Sequence, residues 1–349
     1  MRQSTPPRPA RSALARGPRS RPSVSMAVVS LGALVLLGGA GCKKSEPTPS
    51  GGTDDNKATA YRFAFVTNNS SDFWNIAEKG LRKAEKDFGV RVDMFRPLKG
   101  EISDQQRFLE DIMVQNFDGV AISPINPDAM TGTFDRVAAK MPLVCHDSDA
   151  PKSKRNVYVG TNNIEAGRSA GQAAIAALKA ANVTKGKIAL FVGRIDMQNA
   201  IERKQGLDET LGKLPGFEML PVFLDKTDRA LAKKNVEDAL ARYPDLSLII
   251  GIWSYNGPCI AGAVRASSRK DKPVIVAFDE EEETLKSVQD GLISATIVQR
   301  PFQFGYQSIK ALKDLKDGKQ VPTVIDTGIL TVKKDNLDQF WNELRELKK

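Results

Sequence analysis

From Tyr61 onward, short apolar runs alternate with longer segments in which apolar residues recur every three or four positions. The apolar runs predict strands at 62–67, 90–95, 119–123, 142–146 and 156–160, and again at 187–193, 217–223, 246–252 and 273–278. The periodic segments predict helices at 73–88, 103–115, 127–139, 163–181, 198–212, 229–242, 259–268 and 280–290. Unbroken apolar strands that alternate with helices are typical of parallel sheets covered on both faces. Two such series therefore predict an α/β protein with two doubly wound parallel-sheet lobes.

The order of the elements also predicts how the two lobes are joined. The first series stops at residue 160 and two late segments must return to it, so we expect three crossings, near 160–163, 299–301 and 326–328. The N-terminal lobe would comprise residues 61–162 plus 300–327, and the C-terminal lobe residues 163–299 plus 328–349. In this arrangement a helix at 303–316 packs on the first lobe, a strand at 329–334 joins the second, and an amphipathic helix ends the chain. A hinge of three segments predicts a molecule that is open without ligand and closed with it.

Residues 1–60 differ in character from the rest of the chain. An Arg-rich stretch precedes the apolar run 26–37, which is too short to span about 30 Å of hydrocarbon as a helix, so residues 1–41 are predicted to be an export signal. Cys42 follows Ala-Gly and resembles a bacterial lipoprotein cleavage site, at which the thiol is lipidated. Residues 42–60 are polar and rich in Pro, Gly and Ser, as expected for a flexible tether. Two alternatives stay open: ordinary signal cleavage that leaves Cys42 without lipid, and translation that starts at Met26 instead of Met1.

The chain of 349 residues has a formal charge of +9, from 51 basic and 42 acidic residues. Six of the arginines lie in the export signal, and without them the balance is 45 to 42, or +3. The basicity therefore gives no reason to expect a nucleic-acid partner. Cys145 and Cys259 are expected to be buried free thiols, because Cys is among the most buried residue types.

Candidate chemistry is concentrated directly after the apolar runs. In parallel sheets, ligands bind at the carboxyl ends of the strands, where the loops converge. These positions fall at 67–74, 123–128, 146–149, 194–203, 225–228, 253–256, Asp279 and Gln299. They combine aromatic side chains, carboxylates, amides and an arginine, and they contain no Gly-rich phosphate loop and no metal-spaced His or Cys. We therefore expect neither a cofactor nor a metal, and His146, the one histidine, is expected to be a packed residue at a strand end.

This mixture of side chains suits a sugar. The C–H faces of a sugar ring lie well against aromatic rings, and its hydroxyls both donate and accept hydrogen bonds. Asp and Asn satisfy vicinal hydroxyl pairs, and a buried Arg supplies fixed donors while balancing the carboxylates.

Four segments make a resemblance specific: FVTNNSSDFWNIAEKGLRKAEKDFGV, PLVCHDSDA, IERKQGLDETL and VIVAFDEEEETLKSVQDGLISATIVQRPFQFG. Over residues 61–334 the chain resembles a periplasmic sugar-binding protein of the ribose-binding type, the solute-capture component of ABC importers. The resemblance implies the periplasmic-binding-protein-like I fold. It also implies binding of a monosaccharide between two closing lobes for delivery to an ABC permease in the inner membrane. The protein would be a monomer located in the periplasm or at the cell surface, anchored through lipid on Cys42.

The resemblance also implies roles for single residues. Phe73 and Trp74 match the aromatic pair that sandwiches the sugar, although Trp74 could instead belong to the core, with only one of the two facing the crevice. The polar matches are Thr67 and Ser71 beside them, Asp147, Arg203, Asp279 and, at a crossing, Gln299. The strand-end loops add Ser148, Asp149, Asn199, Trp253 and Asn256 as ligand-binding candidates.

Two departures from the family pattern concern the ligand. Ser148 and Asp149 follow Asp147 where the ribose-binding pattern has an Arg, and the loop WSYNGPC is longer and adds Trp253 and Tyr255. The site has thus lost a cation and gained aromatic surface. A pentose, a hexose or a cyclitol fits this pattern, and ribose itself is not favoured.

Other classes of function would require different features of the sequence. A sugar sensor that presents its ligand to a membrane chemoreceptor or sensor kinase shares the same site. A transcription regulator of this fold would need an N-terminal helix-turn-helix, and a nucleotide-dependent dehydrogenase would need G-x-G-x-x-G after the first strand. A glycosidase using Asp147 and Asp279 would need one carboxyl protonated near neutral pH. Arg203 is expected to lower the pKa of both carboxyls, so no enzymatic activity is predicted.

Overall fold

The computed structural model describes residues 60–98 and 100–348. In chain order its elements are β1 (Arg62–Val66), α1 (Phe73–Phe88), β2 (Arg91–Phe95), α2 (Ile102–Val114), β3 (Gly119–Ile122), α3 (Pro127–Ala138), β4 (Leu143–His146), β5 (Val157–Gly160), α4 (Asn163–Ala180), β6 (Gly186–Val192), α5 (Gln198–Leu211), β7 (Phe217–Met219), β8 (Phe223–Leu224), α6 (Arg229–Arg242), β9 (Leu246–Gly251), α7 (Asn256–Ala266), β10 (Val274–Phe278), α8 (Glu282–Gln289), β11 (Ala295–Val298), α9 (Pro301–Lys316), β12 (Val324–Asp326), β13 (Leu330–Val332) and α10 (Leu337–Lys348). The predicted export signal, Cys42 and nearly all of the predicted tether lie outside the described residues.

The strands form two sheets. The first has the order β12-β5-β4-β3-β1-β2 and is parallel throughout; Phe63 of β1, for example, is in register with Val92 of β2 and Gly119 of β3. The second has the order β13-β11-β10-β9-β6-β7, with β8 also paired to β6, and all its pairs are parallel except β11 with β13. This confirms the predicted α/β class with two doubly wound sheets.

Helices cover both faces of each sheet, as the unbroken apolar strands predict. In β1, Phe63 and Phe65 pack in one apolar cluster, while Ala64 and Val66 pack in another. In β6, successive residues from Ile188 to Val192 also alternate between two clusters. Because neighbouring side chains of a strand point to opposite faces, each sheet lies between two apolar cores.

The chain passes between the two sheets three times. It leaves the first sheet after β5, returns after β11 and leaves again after β12. Helix α9 contacts β1, β3, β4 and β5 of the first sheet, whereas β13 pairs with β11 of the second. Helix α10 packs Leu337, Phe340 and Leu344 into a cluster of the second sheet, with Trp341 partly buried beside them. The residue boundaries proposed for the two lobes stay a prediction.

Three local differences from the sequence expectations have physical reasons. The run 217–223 forms two short strands, β7 and β8, because Pro221 lies between them and has no N–H for the ladder. β11 and β12 were not predicted, because runs of four and three residues carry too little periodicity. The strand expected at 329–334 spans only Leu330–Val332.

The two remaining cysteines, Cys145 and Cys259, are free and buried, as expected. Within residues 60–98 and 100–348, no helix has both the length and the apolar character needed to cross a bilayer.

Candidate functional site

A crevice lies where the carboxyl ends of the two sheets face each other. About 340 Å³ of space in and at the mouth of this crevice is not filled by protein atoms. Its walls are formed by Asn68, Asn69, Ser71, Phe73, Trp74, Asp147, Asn199, Arg203, Trp253, Ser254, Tyr255, Asp279 and Gln299. Both sheets contribute, so a ligand in the crevice would touch both.

Two carboxylates occupy matching positions in the two sheets. Asp147 directly follows β4 and Asp279 directly follows β10, and both are almost fully buried. Their backbones are left-handed, with φ of 58° and 65°. This conformation costs energy for residues other than Gly, and Asp tolerates it better than most. Strained residues of this kind concentrate at functional sites, here at both ends of the crevice.

Asp147 is held by side chains from both sides of the crevice. Its Oδ2 accepts hydrogen bonds from Asn68 Nδ2 at 3.0 Å and Ser123 Oγ at 2.8 Å. From the second sheet, Asn199 Nδ2 donates to Oδ2 at 3.3 Å. These three hydrogen bonds fix the position of the buried carboxylate.

The same network extends to an aromatic wall. Asn68 Oδ1 accepts from Asn69 Nδ2 at 2.8 Å, and Asn69 Oδ1 accepts from Trp74 Nε1 at 3.2 Å. Asn69 Oδ1 also accepts from the Ser71 N–H at 2.8 Å. One chain of hydrogen bonds therefore positions both Asp147 and the Trp74 ring.

The aromatic pair departs from the expectation that only one member faces the crevice. Phe73 and Trp74 begin α1, with ring centroids 5.1 Å apart and planes at 88°. Both rings line the crevice, and both also belong to an apolar core cluster of the first sheet. Lining the crevice and packing in the core are therefore compatible, because the first turn of α1 lies at the edge of the core.

Arg203 is the cation of the crevice wall. It is 1% exposed; its Nε donates to Asn163 Oδ1 and its Nη1 to the Ile252 carbonyl, both at 2.9 Å. Helices α4 and α5 pack closely enough to place it there, because a Cβ on Gly167 or Gly206 would collide with the facing backbone. Two glycines therefore set the position of the guanidinium.

Burial governs the protonation of the carboxyls. Burial raises the pKa of Asp147 above its usual range, with Arg203 and three hydrogen bonds opposing the rise. Burial likewise raises the pKa of Asp279 to about 6, opposed by Arg203 and Gln299 and assisted by the charge of Asp147. The expectation that Arg203 would bring both pKa values down was wrong in its net sign, because desolvation of the carboxylates outweighs the attraction to one cation.

Four buried polar atoms on the crevice wall have no hydrogen-bond partner among residues 60–98 and 100–348. Two are donors, Arg203 Nη2 and Trp253 Nε1, and two are acceptors, Asn199 Oδ1 and Gln299 Oε1. The amide assignments follow from chemistry, because Asn199 Nδ2 and Gln299 Nε2 each face a carboxylate. Buried polar groups are normally paired, so four unpaired ones around one cavity indicate a ligand that both donates and accepts.

Four of the predicted ligand residues do not line the crevice. Thr67 and Ser148 are fully buried behind the wall, and Thr67 Oγ1 donates to the Asn69 carbonyl at 2.6 Å. Asp149 forms a buried ion pair with Arg155. The predictions for Thr67, Ser148 and Asp149 treated each strand-end segment as a unit, whereas successive side chains of a loop face different ways.

The fourth is Asn256, the first residue of α7. Its Nδ2 donates to Asp225 Oδ2 and its Oδ1 accepts the Trp253 N–H, both at 3.0 Å. It therefore contacts the loop rather than the crevice. Conversely, Asn68, Asn69 and Ser254 line the crevice without having been predicted, and Tyr255 lines it as part of the aromatic surface that the longer loop was expected to add. All four lie in strand-end segments where the sequence predicted ligand contacts. Only the loop conformation determines which side chains of a segment face the crevice.

His146 is packed as expected. It is fully buried and stacks on Phe65 with ring centroids 4.0 Å apart, and burial lowers its pKa to about 3. No group of His, Cys, Asp or Glu in the described part of the chain could hold a metal ion.

Two doubly wound sheets with a polar, aromatic-lined crevice between them define a class: a binding protein that holds a small polar solute between two α/β halves. The chain belongs to the periplasmic binding protein domain family, whose profile matches residues 63–320. This confirms the resemblance seen in the sequence.

Individual relatives support this family assignment. The chain is 25% identical over 261 residues to the D-allose-binding periplasmic protein of Escherichia coli, covering 72% of this chain and 84% of that protein. It is 26% identical over 263 residues to the ribose import binding protein of Bacillus subtilis, covering 74% and 83%. A crystal structure of an ABC transporter solute-binding protein from Burkholderia graminis in complex with D-arabinose is 30% identical, with a TM-score of 0.75, covering 79% of this chain and 96% of that one.

These relatives are binding proteins and not enzymes, and the family accordingly places the chain among extracytoplasmic binding proteins rather than enzymes.

Proposed function

We propose that the protein captures one monosaccharide, a pentose, hexose or cyclitol, in the crevice and delivers it to an ABC-type importer. The observation that carries this proposal is the set of four unpaired buried atoms on the crevice wall, two donors and two acceptors. Sugar hydroxyls accept from Arg203 Nη2 and Trp253 Nε1 and donate to Asn199 Oδ1 and Gln299 Oε1. The C–H faces of the ring lie against Phe73 and Trp74.

The relatives support the chemical class. Their names specify D-allose, ribose and, for the Burkholderia graminis protein, a D-arabinose complex. The ribose import protein and the ABC transporter solute-binding protein also support delivery to an importer. Ser148 lies behind the wall, and of the described residues Arg203 is the one cation that lines the crevice. Trp253 and Tyr255 add aromatic surface, so ribose is not the favoured ligand.

A thermal-shift screen of monosaccharides and cyclitols tests the proposal. A sugar at 100 times its dissociation constant adds about 2.7 kcal/mol to the free energy of unfolding. The corresponding alditols serve as controls, because they carry the hydroxyls without the ring that stacks on Phe73 and Trp74. Stabilisation by none of the ring sugars would refute the proposed class of ligand.

The crevice predicts a pH dependence of sugar binding. Hydroxyls that donate to Asp279 favour its ionised form, so sugar lowers the pKa of about 6 that burial gives this carboxyl in the closed crevice without sugar. Affinity should thus be full above pH 7 and fall through pH 6, by about tenfold at pH 5. Titrations between pH 5 and 8 check this, and an affinity constant over that range would count against ionised Asp279 as a ligand. His146 does not interfere, because its pKa is about 3.

We further propose that two lobes close on the sugar about the three crossings. Contacts that join the two sides support this: Asn126 Nδ2 donates to Asp196 Oδ2 at 2.9 Å, and Asn199 Nδ2 donates to Asp147. Without ligand, the buried charges Asp147, Asp279 and Arg203 are better solvated in an open form. Sugar stabilises the closed form because only there do both sides touch it.

The proposal includes a lipid anchor on Cys42, which predicts that Cys42→Ala moves the protein from the membrane fraction to the soluble fraction. Each buried methylene of an acyl chain contributes about 0.8 kcal/mol to membrane binding, and residues 43–60 are too polar to replace it. Fractionation of cells expressing either form is the measurement. A wild-type protein that takes up no radioactive fatty acid would rule the anchor out.

A further inference from the structure

The 253–256 loop joins β9 to α7 and brings Trp253, Ser254 and Tyr255 to the crevice. We propose that Asp225, which does not itself line the crevice, is the positioning residue that holds this loop in its sugar-binding conformation. The inference rests on the proposed function, since it concerns how one wall of the sugar site is kept in place.

A single carboxylate ties the loop down at two points. Tyr255 Oη donates to Asp225 Oδ1 at 2.5 Å, and Asn256 Nδ2 donates to Asp225 Oδ2 at 3.0 Å. Asn256 Oδ1 in turn accepts the backbone N–H of Trp253 at 3.0 Å. Both aromatic residues of the loop are therefore connected to Asp225, Tyr255 directly and Trp253 through Asn256.

Asp225 is itself fixed by its own loop. It is 1% exposed, and its Oδ1 also accepts the Thr227 N–H at 2.9 Å. Lys226 and Thr227 both have left-handed backbones, with φ of 54° and 66°. A β-branched residue such as Thr227 rarely adopts this conformation, and such strain persists only where surrounding contacts over-determine it. One of those contacts is the hydrogen bond from the Thr227 N–H to Asp225, so the turn and the 253–256 loop both depend on the Asp225 carboxylate.

Gly193, directly after β6, completes the support. A Cβ at this position would collide with the Trp253 ring and with the Tyr255 hydroxyl, so both rings lie directly over its backbone. The Gly193 carbonyl accepts the Lys226 N–H at 2.9 Å. The residues that follow β6, β8 and β9 therefore pack together. Asp225 holds the 253–256 loop by hydrogen bonds, and Gly193 leaves room for the Trp253 and Tyr255 rings.

Three donors converge on Asp225, which makes the carboxylate hard to replace. Oδ1 accepts from Tyr255 and Thr227, and Oδ2 accepts from Asn256. An amide of the same shape has one oxygen and one NH₂ group, so in either orientation a donor faces a donor. Turning the Asn256 amide does not help, because its NH₂ group would then face the Trp253 N–H.

The test is an exchange of the two side chains. Asp225→Asn should weaken sugar binding by about tenfold or more, because the Trp253 and Tyr255 wall loses hydrogen bonds to a charged acceptor. The double variant Asp225→Asn/Asn256→Asp should recover affinity to within about threefold of wild type. In it, the amide at position 225 donates to the carboxylate at position 256, whose second oxygen accepts the Trp253 N–H.

Affinities are measured by titration well below the melting temperature of each variant, with the sugar that binds the wild type best. Asp228→Asn is the matched control, because Asp228 lies in the same turn but caps α6, a role that Asn fills equally well; its affinity should equal that of wild type. Wild-type affinity in Asp225→Asn, or no recovery in a folded double variant, would overturn the inference. If Asp225→Asn does not fold, the double variant alone decides. Failure of the wild type to bind any sugar would instead refute the proposed function.

Discussion

Replacing Arg203 by Met is expected to reduce sugar affinity by roughly 100- to 1,000-fold, the range found when one partner of a buried charged contact is removed. The substitution deletes Nη2, an unpaired donor on the crevice wall, together with the positive charge between Asp147 and Asp279. Without that charge the pKa of both carboxyls rises further, which favours their protonated forms and weakens them as acceptors for sugar hydroxyls. Titration of wild type and variant with the same sugar measures the loss.

Two further variants separate charge, geometry and stability. Arg203→Lys keeps the charge but loses the fork that reaches Asn163 and the Ile252 carbonyl, so its affinity should lie between those of wild type and Arg203→Met. Arg155→Met is the matched control, because Arg155 is paired with buried Asp149 away from the crevice. It should lower stability and leave affinity unchanged. Sugar binding by Arg203→Met within a few-fold of wild type would remove Arg203 from the site.

Trp74→Ala should lower both sugar affinity and stability. The ring lines the crevice, so its loss should weaken binding by about 1 to 3 kcal/mol. It is also among the largest fully buried side chains, and truncating such a residue costs about 3 to 5 kcal/mol of folding free energy. Both losses are expected because the ring lines the crevice and also belongs to a core cluster of the first sheet.

Calorimetric titration and thermal unfolding of the same samples separate the two effects of Trp74→Ala. Phe134→Ala is the matched control, because Phe134 is a fully buried aromatic residue in a different core cluster of the first sheet and does not line the crevice. It should lose comparable stability and bind sugar normally. Trp74→Phe keeps most of the packing and loses the hydrogen bond to Asn69, so its affinity should fall less. Unchanged affinity in folded Trp74→Ala would assign Trp74 to the core alone.

The sequence was sufficient for the fold because the pattern of apolar positions is strong. Unbroken runs such as that of β9 can only be strands covered on both faces, and the helices between them impose parallel pairing. Chain order then placed Asp147 and Asp279 directly after strands of the two sheets, at the carboxyl ends where ligands of parallel sheets bind. The roles of these two carboxylates, and of Arg203 on α5, were predicted from the resemblance to the family, without knowledge of their contacts.

The sequence was not sufficient for the conformation of the loops. Asp149 and Asn256 lie in the expected segments, yet the first turns to Arg155 and the second to Asp225. Loops have no period that tells which side chain faces a crevice, so Asn68 and Asn69 were overlooked. The raised pKa of Asp279 could not be predicted from the sequence either, because it depends on how deeply the carboxyl is buried.

Small-angle scattering with and without the best-binding sugar tests most directly whether one ligand bridges both sides of the crevice. Asp147 and Trp74 come from one side and Arg203 and Asp279 from the other, so only a closed molecule can satisfy them together. The radius of gyration should fall when wild-type protein is saturated with sugar and should not change for Arg203→Met at the same concentration. An unchanged radius for wild-type protein that is demonstrably saturated would contradict closure around a shared ligand.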